Sequence, residues 1–350
     1  METIRIMAAT RHQIFIIVAI ASFYALGSWL MFTQPKLDDL FPIVSGAFLF
    51  SMPFAFGALV CFLGFKFGKP GRFWSLAAPP LLIAGLSVLA FLLGMEAAIC
   101  LVVASPILMI MALLGGWIMS WVLNRSGRDR VCVTLFVLLP YAVAPIEQMW
   151  QVPHETRVMQ NAVTIHASPE TIWQQIYEVP AIQIDELPAQ WIYHIGFPRP
   201  IAAVIDKQGV GGRRHATFER EVSFFEVVTH WEPQRKLSFT IKADPDFIPH
   251  TAFDEHIIVG GRFYDVLDGT YEIEPRSDGT CILHLSSTHR LSTRFNWYAG
   301  WWSEWVMHQI QASILEVIGQ RCEGRTGGQT SVSEFGNVRT FPEEWRPGGK

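Results

Sequence analysis

An α-helical transmembrane bundle followed by an α+β domain is the fold class the sequence predicts, and three observations predict it. Residues 1–150 hold 15 charged side chains, whereas residues 151–350 hold 43. The first part carries uncharged apolar runs as long as the hydrocarbon core of a bilayer is thick. The second part alternates apolar and polar residues with period two and ends in a long amphipathic segment, as a curved antiparallel sheet wrapped on a C-terminal helix would.

Residues 14–32 form the first run. Arg5 and Arg11 precede it as in a signal peptide, but its 19 residues exceed the usual apolar stretch of one and no small-residue cleavage site follows, so it reads as a retained span. Runs 41–65, 73–95 and 97–123 contain 25, 23 and 27 residues without a charge, each above the ~20 residues a helix needs to cross. Glu96 alone separates the last two, which predicts a tight hairpin with its carboxylate at the interface. The fifth run, 131–149, contains Pro140 and Pro145 and ends with Glu147 near the interface. A full crossing is expected, and a re-entrant or surface segment is the alternative.

Loop charges set the orientation. Arg5 and Arg11, then Lys66, Lys69 and Arg72, then Arg125, Arg128 and Arg130 all fall on one side, which the positive-inside rule makes cytoplasmic. Five crossings place the second half extracytoplasmic in a bacterial-type plasma membrane, and four leave it cytoplasmic. The spans hold almost no ionisable residue, which favours an anchor, or a bundle that receives a lipid, over a coupled transporter.

In the second half, 159–166 reads as a strand. Ser168 is a good N-cap, Pro169 suits the first helical position and Glu170 favours the helix's positive end. Residues 180–189, with Asp185 and Glu186, suggest a second short helical stretch. Period-two alternation marks strands over 237–242, 267–274 and 281–286, with Ser277-Asp278-Gly279 as a hairpin turn between the last two. A helix is expected over 295–321, with Trp302, Val306, Ile310, Ser313, Ile314 and Val317 on one broad face and Trp297, Trp301 and Trp305 as a neighbouring stripe. That stripe either walls a cavity or dips into the headgroup zone. Residues 323–350 are rich in Gly, Ser, Thr and Pro and are expected to be disordered.

Two segments carry a family likeness. NAVTIHASPETIWQQI at 161–176 resembles the opening of the START-like, or SRPBCC, superfamily, which includes polyketide cyclase/dehydrase-like proteins. GVGGRRHATFEREVSFFEVVTHWEPQRKLSFTI at 209–241 resembles its central strands, with Glu226, Trp231 and Pro233 in the usual pattern. The resemblance covers roughly 155–322 and leaves the membrane half outside. It implies a helix-grip fold, a deep cavity between the concave sheet and the last helix, and a hydrophobic or amphipathic ligand such as a lipid, sterol or polyketide. It does not imply one activity, because carriers, cyclases and sensors share the superfamily.

Extending the strand alternation puts Leu283, Leu285, Ser287, His289 and Leu291 on one face, and Asp265, Leu267, Gly269 and Tyr271 on another that is also directed inward. His289 and Asp265 are then isolated polar groups in an apolar cavity, where such groups orient a ligand. Glu226 and His230 share a face with Val228 and either line the cavity or link strands. The expected ligand-binding set is Glu226, Trp231, Asp265, Tyr271, His289 and Trp302. Asp254 and His256, two apart on one strand face, are candidates for an acid–base pair, as is His289 alone. No HExxH or comparable spacing supports a metal, and neither Gly209, Gly211 and Gly212 nor Gly260-Gly261 has a nucleotide loop's context, so neither a metal nor a cofactor is expected. A net charge of −4 without a basic stripe points away from nucleic acid. The expected partners are the bilayer and a hydrophobic small molecule. The leading expectation is a membrane-anchored domain that binds such a molecule at the bilayer surface for transfer or sensing. A cyclase or dehydratase acting on a polyketide- or isoprenoid-like substrate, and a structural membrane subunit with a closed cavity, are the alternatives.

Overall fold

Apolar runs without charges become long helices in the computed structural model, which describes residues 2–67, 71–125, 129–243 and 259–324. They are α1 (Glu2–Phe32), α2 (Met52–Lys66), α3 (Ala78–Leu92), α4 (Ala98–Arg125) and α5 (Asp129–Gln148). A π-helical turn, Ala47–Ser51 or Phe73–Ala77, runs directly into α2 and α3 respectively. Among the described residues five segments are long and apolar enough to cross a membrane: Arg11–Phe32, Ala47–Lys66, Phe73–Leu92, Ala98–Arg125 and Arg130–Gln148. Pro106 inside α4 removes the N–H that would bond the Val102 carbonyl, and the Ser105 hydroxyl donates to that carbonyl instead, at 3.2 Å. Helices α2 and α4 meet backbone to backbone. A Cβ added to Gly57 would lie 1.9 Å from the Ala112 carbonyl oxygen, and one on Gly115 1.9 Å from that of Phe54. Small residues allow such close approach, the source of helix association in apolar surroundings.

The second half is one antiparallel sheet curled into a half-barrel, in the order β1-β7-β6-β5-β4-β3-β2. Its strands are β1 (Glu155–Ile165), β2 (Pro200–Ile205), β3 (Arg213–Phe218), β4 (Ser223–Glu232), β5 (Lys236–Ala243), β6 (Tyr264–Pro275) and β7 (Cys281–Leu291). After β1, Ser168 Oγ accepts a hydrogen bond from the Thr171 N–H at 3.2 Å and starts α6 (Pro169–Tyr177) as the sequence predicts. The second helical stretch shrinks to a 3-10 turn, Ile184–Glu186, and one turn of helix, α7 (Trp191–His194). The last helix, α8 (Asn296–Cys322), lies against β1, β7 and α6. Strand, helix, six strands, long helix is the helix-grip order. Ile165, Ile172, Trp173, Ile176, Phe239, Leu283, Leu315 and Ile318 belong to the apolar core that fills the end of the sheet beneath the C-terminal part of α8.

The buried line of α8 departs from the apolar projection. It runs through Asn296, Gly300, Met307, Gln311, Leu315 and Ile318, whereas Trp302, Val306 and Ile310 are only half-buried; Ser313 and Val317 are buried as expected. Two polar reasons explain the rotation. Gly300 makes room for the Arg157 guanidinium, whose carbon would lie 2.1 Å from an added Cβ. Gln311 accepts from Asn161 Nδ2 at 2.8 Å and donates to Ser287 Oγ at 2.7 Å, joining helix and sheet by buried hydrogen bonds.

Residues 149–154 connect α5 to β1, and the domain is also docked on the helix ends. The Glu147 carboxylate accepts from the Gly46 and Ala47 N–H groups at 2.8 and 2.9 Å, capping the helix start that leads into α2. It also lies 3.3 Å from Arg294 Nε, and Arg294 Nη2 donates to the Trp150 carbonyl at 2.6 Å. The Tyr298 hydroxyl donates to the Val103 carbonyl in α4. Phe50 packs against Phe295 and Trp297, with ring centroids 6.2 and 6.4 Å apart.

Candidate functional site

Polar residues on the inner face of the sheet are few, and the register aligns them. Arg157 on β1 pairs with His289 on β7, and His289 with Val266 on β6. On the other side of the sheet Ile241 on β5 pairs with Glu226 on β4, and Glu226 with Arg214 on β3. His289 and Glu226 thus face inward on β7 and β4, with Val266 beside the first and Ile241 beside the second.

Beside Ile241, Arg214 Nη1 donates to Glu226 Oε2. The two side chains are 4% and 8% exposed, so water screens neither. The Tyr271 hydroxyl lies beside the guanidinium, which sits 5.3 Å over the Phe239 ring. Arg214 Nε has no partner among the described residues. Burial pushes the Glu226 carboxyl up and the adjacent guanidinium pulls it back. Burial likewise raises Tyr271. Sequence reasoning found Glu226 and Tyr271 but missed Arg214. Its signal was available: Arg214 shares strand parity with Ala216 in an otherwise alternating segment.

On β7, His289 is fully buried. The Ser303 hydroxyl donates to the Gly300 carbonyl at 3.0 Å, so Ser303 Oγ accepts from His289 Nε2–H at 3.1 Å. That fixes the tautomer and leaves Nδ1 as a bare acceptor, without a partner among the described residues. Burial holds the imidazole below its ordinary range, with Glu304 acting in the opposite sense. The Tyr264 ring lies 5.7 Å from the imidazole.

The remaining expected residues are placed differently. Asp265 does not join His289. A β-bulge between Val266 and Asp268 inserts Leu267 as an extra residue and reverses the parity of everything before it, so Asp265 pairs with Arg290 on the outer face. A second bulge, between Val228 and His230, likewise separates His230 from Glu226: His230 is exposed, 3.7 Å from Glu232. Trp231 packs edge-on against Trp173 at 5.0 Å and closes the far end of the core. Trp302 is half-buried on α8, between Trp301 at 4.8 Å and Trp305 at 6.2 Å. Asp254 and His256 lie outside the described residues, as does the tail from 325 onward.

A separate open cleft of 540 Å³ lies where the domain meets the helices, between Gly46, Val143, Ile146, Glu147, Trp150, Pro153 and Arg294. Its walls are apolar apart from the Glu147–Arg294 pair.

No protein-family model matches the chain, and no curated protein matches it in sequence. Among solved structures it is similar to a truncated norcoclaurine synthase from Thalictrum flavum, at 15% identity over 49% of this chain and 96% of that one, with a TM-score of 0.31. It is similar to the XoxI protein from Bacillus cereus at 16% identity over 48% and 94%, with a TM-score of 0.29. It is also similar to an Aha1 dimer from Colwellia psychrerythraea at 13% identity over 48% and 96%, with a TM-score of 0.26.

Proposed function

We propose that this chain is a membrane-anchored binding protein whose curled-sheet domain holds a lipid or other hydrophobic molecule at the bilayer surface, for transfer or sensing. The observation that carries the reading is the buried Arg214–Glu226 pair on the inner face of the sheet. Removing two charges from water is expensive, and well-packed apolar residues of similar volume often stabilise a core as well or better. A charge pair beside Tyr271, in an apolar wall, instead has the form of a polar anchor that fixes a ligand's orientation. His289 Nδ1, a buried acceptor on β7 of the same inner face, adds a second point able to accept a hydrogen bond from a hydroxyl. The five apolar helices hold this domain beside the phase in which such ligands dissolve.

Acid–base catalysis has less support. Of the acid–base candidates, Asp254 and His256 lie outside the described residues, and Asp265, the other polar group expected beside His289, is on the outer face.

The test is mass spectrometry of lipids retained by the full chain after purification in detergent, compared with an Arg214→Met/Glu226→Leu double variant. A specific class enriched over the bulk extract, and lost in the folded double variant, supports the reading. Bulk composition in both would overturn it.

A further inference from the structure

The start of α8 is unusual for a domain surface. Residues 295–303 carry no charge, and Trp297 and Trp301, one helical turn apart, are 67% and 60% exposed. Both lie on the side of the domain that meets the helices, because Trp297 packs against Phe50 and Tyr298 bonds to Val103.

Those two contacts give a depth. Val103 is 22 residues before Arg125 on α4, about 33 Å along the axis at ~1.5 Å per residue. Phe50 is 16 residues before Lys66 in the segment Ala47–Lys66, about 24 Å by the same rise. The hydrocarbon core is ~30 Å thick. When Lys66 and Arg125 sit at one headgroup zone, as their charge requires, Val103 reaches the opposite boundary and Phe50 lies just inside it. The first turn of α8 is tied to both residues and lies at that level.

We infer that the opening two turns of α8 sit in the headgroup zone of the bilayer, with Trp297 and Trp301 as a lipid-facing surface. This rests on the reading of α1–α5 as membrane spans. The chemistry matches the location. An indole presents a large apolar face and one N–H, and it is favoured at the boundary between acyl chains and headgroups. The surface continues the apolar exterior of the helices, where Trp117 on α4 is 57% exposed. From Trp301 the aromatic contacts continue through Trp302 and Trp305 to Trp191, which lies 4.6 Å from Trp305 and is itself exposed. The domain thereby presents a run of aromatic surface that starts in the bilayer.

The experiment uses the full chain labelled with 5-fluorotryptophan in phosphatidylcholine nanodiscs. Fluorine signals of Trp297, Trp301 and Trp117 are assigned by loss in Trp→Phe variants, with Trp→Tyr as the second choice where a phenylalanine variant fails to fold. Lipids carrying a nitroxide near the headgroup or at mid-chain, and a water-soluble gadolinium chelate, are then added separately. Broadening of Trp297 and Trp301 by the headgroup-proximal nitroxide, with shielding from gadolinium, supports the inference. Broadening by gadolinium alone, while Trp117 responds to mid-chain nitroxide, overturns it and leaves the spans intact. Shielding from both reagents means a protein surface covers the two residues and also overturns it. No response of Trp117 to either lipid label removes the membrane reading itself, and the inference falls with it.

Discussion

Removing only one member of the Arg214–Glu226 pair should harm the fold more than removing both. In Arg214→Met the Glu226 carboxylate keeps its burial and loses its counter-charge. Both side chains are below a tenth exposed, so solvent screening gives no discount, and a stranded buried charge costs about 3–5 kcal/mol. For a domain of this size that is a fall of roughly 6–20 °C in melting temperature. Burial already raises the Glu226 pKa, and without the guanidinium only the weaker influence of His215 pulls it back. The folded variant then binds a proton more readily than the unfolded chain, so its stability recovers as pH falls. The deficit of Arg214→Met should be larger at pH 8 than at pH 5. The double variant Arg214→Met/Glu226→Leu has no charge to strand and should melt near the parent or above it. The assay is a set of thermal melts of the full chain in detergent, followed by near-ultraviolet circular dichroism at both pH values. If the double variant melts as low as the sum of the two single losses, the cost lies in packing and the reasoning from stranded charge is refuted.

Other outcomes follow from the same geometry. His289 has a folded pKa held below its unfolded value by burial, so its contribution to stability is complete above about pH 6.5 and is lost as pH falls; His289→Asn should flatten the acid limb of a stability–pH profile, and an unchanged limb would assign that limb to other groups. Gly115→Leu forces α2 and α4 apart, because even a Cβ meets the Phe54 carbonyl at 1.9 Å; it should broaden the size-exclusion profile, whereas Gly85→Leu, with nothing within 4 Å of its Cβ, should not. Arg294→Ala removes the domain's hold on Glu147 and Trp150 and should speed proteolysis within residues 149–154; an unchanged rate would make the aromatic contacts sufficient by themselves. Reporter fusions at residues 127 and 330 should read opposite compartments if the fifth run crosses, and the same compartment if it does not.

Much of the architecture was legible because it rests on composition and simple periodicities. Charge-free runs marked the five apolar helices, although α1 starts at Glu2, well before the run 14–32, and the run 41–65 begins six residues ahead of the helical segment at Ala47. Ser168-Pro169-Glu170 marked α6 through capping chemistry, and the turn at Ser277-Asp278-Gly279 marked the β6–β7 hairpin. The site was legible only where those periodicities hold. Alternation placed Leu283 to Leu291 correctly, because β7 runs unbroken. It failed at Asp265 and His230, each beyond a bulge, since one inserted residue reverses every later side chain and leaves no mark in local composition. The α8 projection failed for a related reason. Ranking residues by apolarity passes over Gly300 and Gln311, which face inward because one admits an arginine and the other satisfies buried polar groups. Arg214 was missed because an arginine in a strand ordinarily points to water, and only the partner on the neighbouring strand turns it inward.

The six residues between Gln148 and β1 limit where this protein can act. Fully extended, they reach about 20 Å, less than the length of the α8 they help to position, and the Glu147, Arg294 and Tyr298 contacts hold the domain closer still. A domain on so short a lead cannot shuttle. With α1–α5 in a bilayer, as proposed, it would sample one patch of one leaflet, at a fixed angle. Under that proposal, anything it handles would have to arrive by lateral diffusion within that leaflet or be brought by a visitor from the aqueous side. Its throughput then scales with its own density in the membrane, as for a row of stationary berths, and lengthening residues 149–154 is the direct way to find out whether staying put is part of the task.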